Sequence, residues 1–343
     1  VTSENKDHIN ETLDIIDELL SEDNIGSLTQ NEISEVREKK EQLQNLLNKI
    51  EEIEENLDAV DSVVKETPEA NKVTSDDKET IEEALDIIEE LLKEENNGNL
   101  TEEENATIEE QKADLTEKLE NIKEVEERMD AVEEAVNSLP EADEVTSEDK
   151  GAIEEALDMV EKLLTGENAG NLTEEEKATV EEQKADLTGK LENIQEVENK
   201  MKTVEQTVNS LPNVDKVTSD DKKAIEEALQ IIEELLAEEN VGNLTDAEKA
   251  IVEAPKATLI EKLEKIKAIE EKIEAVDERV NSLPKIDEVT SEDKETIEET
   301  LKFIEEFLTE ENLANLSEKE KTKVEKQKAD LNEKLDTIQM IKD

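Results

Sequence analysis

The residues best suited to chemistry are few. His8 is the single histidine in 343 residues, and there is no cysteine. A general base or metal ligand needs partners, and His8 has only ordinary carboxylates at helical spacing. It reads as a solvated surface side chain. No Ser-His-Asp set and no glycine-rich phosphate loop is present. Acidic runs such as Glu102-Glu103-Glu104 could attract Ca²⁺. A specific calcium site, however, needs about six to eight oxygens held by a shaped loop, and no D-x-D-x-D-G loop occurs. These runs are better placed to complement helix N-termini. Asn99-Leu100-Thr101 and its equivalents match the N-glycosylation pattern, but their threonine is also positioned to cap a helix. The expectation is a non-enzyme with no catalytic, cofactor-binding or metal-binding residue.

Composition sharpens the exclusions. The formal net charge is −61, with no Trp, no Tyr and two Phe. Phosphate contacts need Lys and Arg, so nucleic acid is not the expected partner, nor is an anionic membrane surface. No apolar run approaches the length of a membrane span. Low hydropathy with high charge is also the signature of disorder, but here the apolar residues fall in ordered stripes. Stability is expected to rise with salt, which screens the like charges. Zero cysteine excludes disulfide chemistry and leaves the compartment open. With no initiator Met and no signal segment, the chain is expected to be a mature region or an excised fragment.

The elements that would carry any site are helices. Leu100 to Leu139 is one uninterrupted helical pattern with no Gly or Pro before Pro140. Thr101 and Glu104 form the T-x-x-E start signal. Apolar residues follow at Ile108, Leu115, Leu119 and Ile122, then at Val125, Met129, Val132, Val136 and Leu139. Between Ile122 and Val125 the three-four alternation slips, which rotates the stripe around the helix. With nothing there to break a helix, the slip predicts a change of packing partner within a continuous helix. Such a helix spans roughly 55 Å, against roughly 35 Å for the helix expected before it over 75–97.

The pattern repeats. VTSENK at Val1 recurs as VTSDDK at Val73 and Val217 and as VTSEDK at Val145 and Val289, a step of 72 residues. A fixed period of this size signals an array of like units. In each copy Thr2, Thr74, Thr146, Thr218 or Thr290 precedes a short helix. That helix is expected to stop near Gly26, Gly98, Gly170 or Gly242 in the left-handed conformation open to glycine. Ala314 stands there in the fifth copy, so its turn should be built differently. The long helix opens at Thr29, Thr101, Thr173, Thr245 or Ser317 and ends near Pro68, Pro140, Pro212 or Pro284.

The short helix is apolar over a broad face (Ile81, Ala84, Leu85, Ile87, Ile88, Leu91 and Leu92 in copy two), wide enough for two neighbours. The fold expected is all-α: an elongated, spectrin-like tandem array of left-handed three-helix bundles joined by continuous helices. The units fall at 51–122, 123–194, 195–266 and 267–343, after an incomplete two-helix unit at 1–50. The competing arrangement breaks the long helix near 122–125 and folds it back. Pro255, where copy two has Gln111, predicts a local kink near 251–255 because it lacks a donor and clashes with the carbonyl of Ile251. Phe303 and Phe307 take the places of Ile87 and Leu91 and read as core.

The run LPEADEVTSEDKGAIEEALDMVEKLL, followed by NLTEEEKATVEEQKADLTGKLENI, resembles the tandem three-helix repeats of Gram-positive cell-surface proteins and is similar to FIVAR-type modules. The resemblance implies an extracellular, wall-anchored protein whose repeats form a stalk or bind host molecules. The chain departs from that pattern in lacking the usual aromatic in the first helix, near Ile87 and Ile88, and a terminal L-P-x-T-G signal, so any anchor is expected outside it. Two functions stay open: a monomeric stalk projecting a terminal adhesin or enzyme domain, and a multivalent binder of a host protein such as immunoglobulin or albumin through two-helix faces.

Overall fold

The computed structural model describes residues 1–342, with the side chains of 95, 167, 168, 341 and 342 outside the description. Among these residues every regular element is helical. In chain order they are α1 (Lys6–Leu19), α2 (Gln30–Glu66), α3 (Lys78–Leu91), the single turn α4 (Glu94–Asn97) and α5 (Glu102–Asn137). Then follow α6 (Lys150–Thr165), α7 (Glu174–Ser210), α8 (Lys222–Leu235), α9 (Asp246–Glu253) and α10 (Lys256–Asn281). The chain closes with α11 (Lys294–Phe307), the short α12 (Glu310–Ala314) and α13 (Glu318–Lys342). Two compact units are present, one of residues 1–138 with 154–187 and one of residues 139–153 with 188–343.

In the first unit, α2 runs through 37 residues and α5 through 36 without a break. The arrangement that folds the long helix back near 122–125 is therefore excluded. Each long helix starts where a threonine hydroxyl accepts an N–H three residues on and a glutamate returns the bond: Thr29 with Glu32, and Thr101 with Glu104. This reciprocal cap satisfies two otherwise orphaned donors.

The stripe slip has the predicted consequence. In α2, Leu47 and Ile50 pack with Ile9 and Leu13 of α1. From Ile53 onward the same helix packs elsewhere. Ile53 and Val60 join Ile81, Ala84, Ile88 and Leu91 of α3 and Ile108, Leu115, Leu119 and Ile122 of α5. Each fully buried isoleucine or leucine contributes about 1.5–3 kcal/mol of transfer free energy. The position of Ile50 corresponds to Ile122, so the change of partner falls on the slip.

The second unit repeats this through α10. Leu259 and Ile266 pack with Ile225, Ile232 and Leu235 of α8 and with Val204 of α7. Ile269, Ile273 and Val276 of the same helix pack instead with Ile297, Ile304 and Phe307 of α11 and with Val324, Leu331 and Ile338 of α13. Phe307 is buried and Phe303 packs at the edge of this core, where the Arg279 guanidinium lies 4.2 Å from its ring centroid. The expectation that both are core holds fully for Phe307, while Phe303 is partly buried against the core's edge.

Pro255 interrupts its helix. Ala254 N–H still bonds to Ala250 O at 3.1 Å, and bonding resumes with Leu259 N–H on Pro255 O at 2.9 Å. Between them the ring leaves no N–H to meet Ile251, and the helix divides into α9 and α10.

Two expectations about the short helix are corrected. It ends at Leu91, six residues before Asn97, after 14 α-helical residues. Nor do the glycines form left-handed stops, since no glycine among the described residues has positive φ. At Gly170 and Gly242 the reason for glycine is tertiary and lies at the loops, whereas a Cβ on Gly26 or Gly98 would meet no atom within 4 Å. The fifth copy's turn is the short α12, which stands where α4 stands in copy two and differs from it in its cap, the Thr309 hydroxyl accepting from Asn312 N–H where the equivalent Lys93 makes no side-chain cap bond.

Candidate functional site

The positions that recur every 72 residues outside the helical cores meet at loop junctions. Each junction joins the loop before a short helix to the turn that opens a later long helix. In the first unit the loop is 67–74 and the turn is 167–173.

Asn171 is buried, and its Nδ2 donates to Ala70 O at 2.8 Å and to Val73 O at 2.7 Å. A primary amide carries two donors on one nitrogen, so a single side chain satisfies two loop carbonyls that burial would otherwise leave costly. Asn121 of α5 donates to the same Ala70 oxygen at 2.8 Å. Beside them, a Cβ on Gly170 would fall 2.3 Å from Asn71 O. Glycine is needed there for close approach of two backbones, not for its φ. Ser75 Oγ donates to Glu176 Oε1 at 2.6 Å and closes the far side.

The second unit holds two more junctions of this design. Asn243 Nδ2 donates to Ala142 O and Val145 O, each at 2.9 Å, and Gly242 stands against Asp143 O as Gly170 does against Asn71. Asn315 Nδ2 donates to Val214 O at 2.9 Å and Val217 O at 2.8 Å. At this last junction Ala314 replaces glycine, and the facing loop coils into a 3-10 turn over Val214–Lys216. The asparagine bonds are kept across this change.

Electrostatics reinforce the junctions. Burial pushes the Glu248 carboxyl up, but bonds from the Thr245 backbone, Ser147 and the Thr245 hydroxyl outweigh it and hold the group below its ordinary value. Glu104 behaves alike, with Ser3 Oγ donating at 2.6 Å. A lysine opening the short helix pairs with a glutamate 48 residues on: Lys78 with Glu126 at 2.6 Å, Lys150 with Glu198 at 2.9 Å and Lys222 with Glu270 at 2.7 Å. Their side chains are about a third exposed, so solvent screens each pair and it contributes little.

The residues singled out for chemistry lie apart from one another. His8 is 86% exposed, with Nδ1 3.6 Å from Glu11. Glu104 serves as the returning half of a helix cap. The N-glycosylation pattern is now accounted for at Asn171, Asn243 and Asn315, whose amide nitrogens are buried and already engaged. Sequence reasoning missed their role, although the same asparagine at 99, 171, 243 and 315 was a visible signal. Among the described residues no group of three or more His, Asp or Glu side chains is placed to hold a metal ion, and no helix is long and apolar enough to cross a membrane. Comparison of the chain with protein-family models, with curated proteins and with solved structures finds no match to any of them.

Proposed function

We propose that this chain is a non-enzymatic spacer: a tandem array of left-handed three-helix bundles, spectrin-like and elongated, that holds another domain at a distance. The units are 51–122, 123–194, 195–266 and 267–343, with an incomplete one at 1–50. The observation that carries the reading is the hand-over within single helices. Ile50 and Ile53 of α2, and Ile266 and Ile269 of α10, serve successive cores without a break between them. A helix shared by two cores resists bending between them, which suits a stalk. The buried asparagines add a second tie at each junction. Following the resemblance in its sequence, the stalk stands on the outer surface of a Gram-positive cell.

Small-angle scattering on the full chain tests the proposal. An array of four bundles extends roughly 140 Å and has a radius of gyration of about 40 Å, against about 20 Å for a compact domain of this length. Removal of one 72-residue period should shorten the particle by about 25–30 Å. A radius near the compact value would overturn the spacer.

A further inference from the structure

One groove differs from its siblings in a way that the spacer role does not require. In copies two and five the groove between the first and third helices of a core is bridged by polar side chains. Gln111 Nε2 reaches Asp61 Oδ1 at 3.4 Å, and Gln327 Nε2 reaches Asp277 Oδ1 at 2.7 Å. Lys323 also pairs with Asp277. In copy four the position of Gln111 and Gln327 is Pro255, which offers Glu205 no donor, and the position of Thr107 and Lys323 is Ile251. Ala254 takes the place of Glu110 and Glu182.

The result is an open apolar groove of 350 Å³, lined by Met201, Val204, Val208, Ile251, Val252 and Pro255, with Ile251 61% exposed at its lip. The other copies place glutamate, threonine or lysine at that lip. The helix break at Pro255 lies in the wall of the same groove.

We propose that this groove is a docking site for one short amphipathic helix whose apolar face fills it and whose outer face is cationic. Charge selects the occupant. A second copy of a chain with net charge −61 is repelled, whereas lysines and arginines are drawn to the acidic surface and to Glu205 on the wall. The lining from Met201 to Asn209 along α7 extends about 12 Å, the length of two turns. It therefore takes apolar anchors spaced i, i+3 or i+4, and i+7, the helix-in-groove mode.

The test titrates the full chain with a synthetic peptide of about 14 residues, leucines on one helical face and lysines on the other. The comparison is a triple variant, Ile251→Thr, Ala254→Glu and Pro255→Gln, which installs the residues copy three carries at 179, 182 and 183. Because those residues already serve an intact helix, the variant should fold, and circular dichroism checks it. The expected result is one tight site per chain, weakened about tenfold or more in the variant and absent for a peptide with serine in place of leucine. Equal binding to the variant, or equal binding of the serine peptide, would reduce the effect to general cation attraction and overturn the site. Self-association of the parent that the triple variant abolishes would also overturn it, in favour of a second copy.

Discussion

The α1–α2 pair and the α2–α3–α5 trio are built from nearly the same pattern, yet they bury it differently. Leu19 of α1 is 37% exposed, and its counterpart Leu91 of α3 is 1% exposed. Ile15 is 66% exposed, whereas Ile87 packs against a core. Ile16 is half-buried and Ile88 fully buried. The sequence of α1 is not at fault, since its apolar residues fall at the same spacing. A broad apolar face needs two partners, and α1 packs against one long helix where α3 packs against two. What the contrast teaches is that periodicity sets the capacity to bury surface while topology decides how much of it is used.

The strongest way to sharpen the contrast is a pair of truncations. Ile88→Ala should cost about 2–5 kcal/mol, and Ile16→Ala no more than about 1 kcal/mol. Hydrogen exchange read separately over α3 and α1 checks both, and equal losses would break the contrast. Asn171→Asp comes next, because it sets a carboxylate against two carbonyl oxygens. It should cost about 1–3 kcal/mol, seen as faster amide exchange over 70–73, with α1 untouched.

Caps act locally, so here the two regions should respond alike. Thr29→Ala and Thr101→Ala should each lower stability by about 1 kcal/mol, and thermal unfolding showing one loss several times the other would count against a purely local cap. The smallest effect belongs to Ser3→Ala, about 0.5–1 kcal/mol at neutral pH. Ser3 helps hold the Glu104 carboxyl below its ordinary 4.5. A depressed folded value contributes stability that is present above the unfolded value and lost as pH falls through the folded one. The gap between parent and variant should therefore close below about pH 4.5, and a gap that widened on acidification would break this assignment.

Much of the fold was legible because it is written locally. The T-x-x-E caps, the stripe in α5 and the slip at Ile122–Val125 depend on residues within one or two turns. The interruption at Pro255 follows from a missing donor and needs no tertiary information. The glycines were misread for the opposite reason. A glycine near a helix end suggests left-handed backbone, but Gly170 and Gly242 are required by carbonyls 99 residues away. The short helix was drawn too long because its polar continuation, Glu94–Asn97, is helical yet separate from α3. The double donation by Asn171 was hidden in a pattern that also reads as a glycosylation signal. The apolar groove at Pro255 could have been found by aligning copy four with copy three, where three polar residues vanish from one stretch of helix.

The ties at the junctions have a fixed reach. Asn171, Asn243 and Asn315 each grip a carbonyl 101 residues back and another 98 back. That span does not grow with the number of copies. Recombination between neighbouring 72-residue periods would excise or duplicate a whole module and leave the surviving clasps with partners at the same separation. Length could thus drift between generations of the gene while the local folding problem stayed the same.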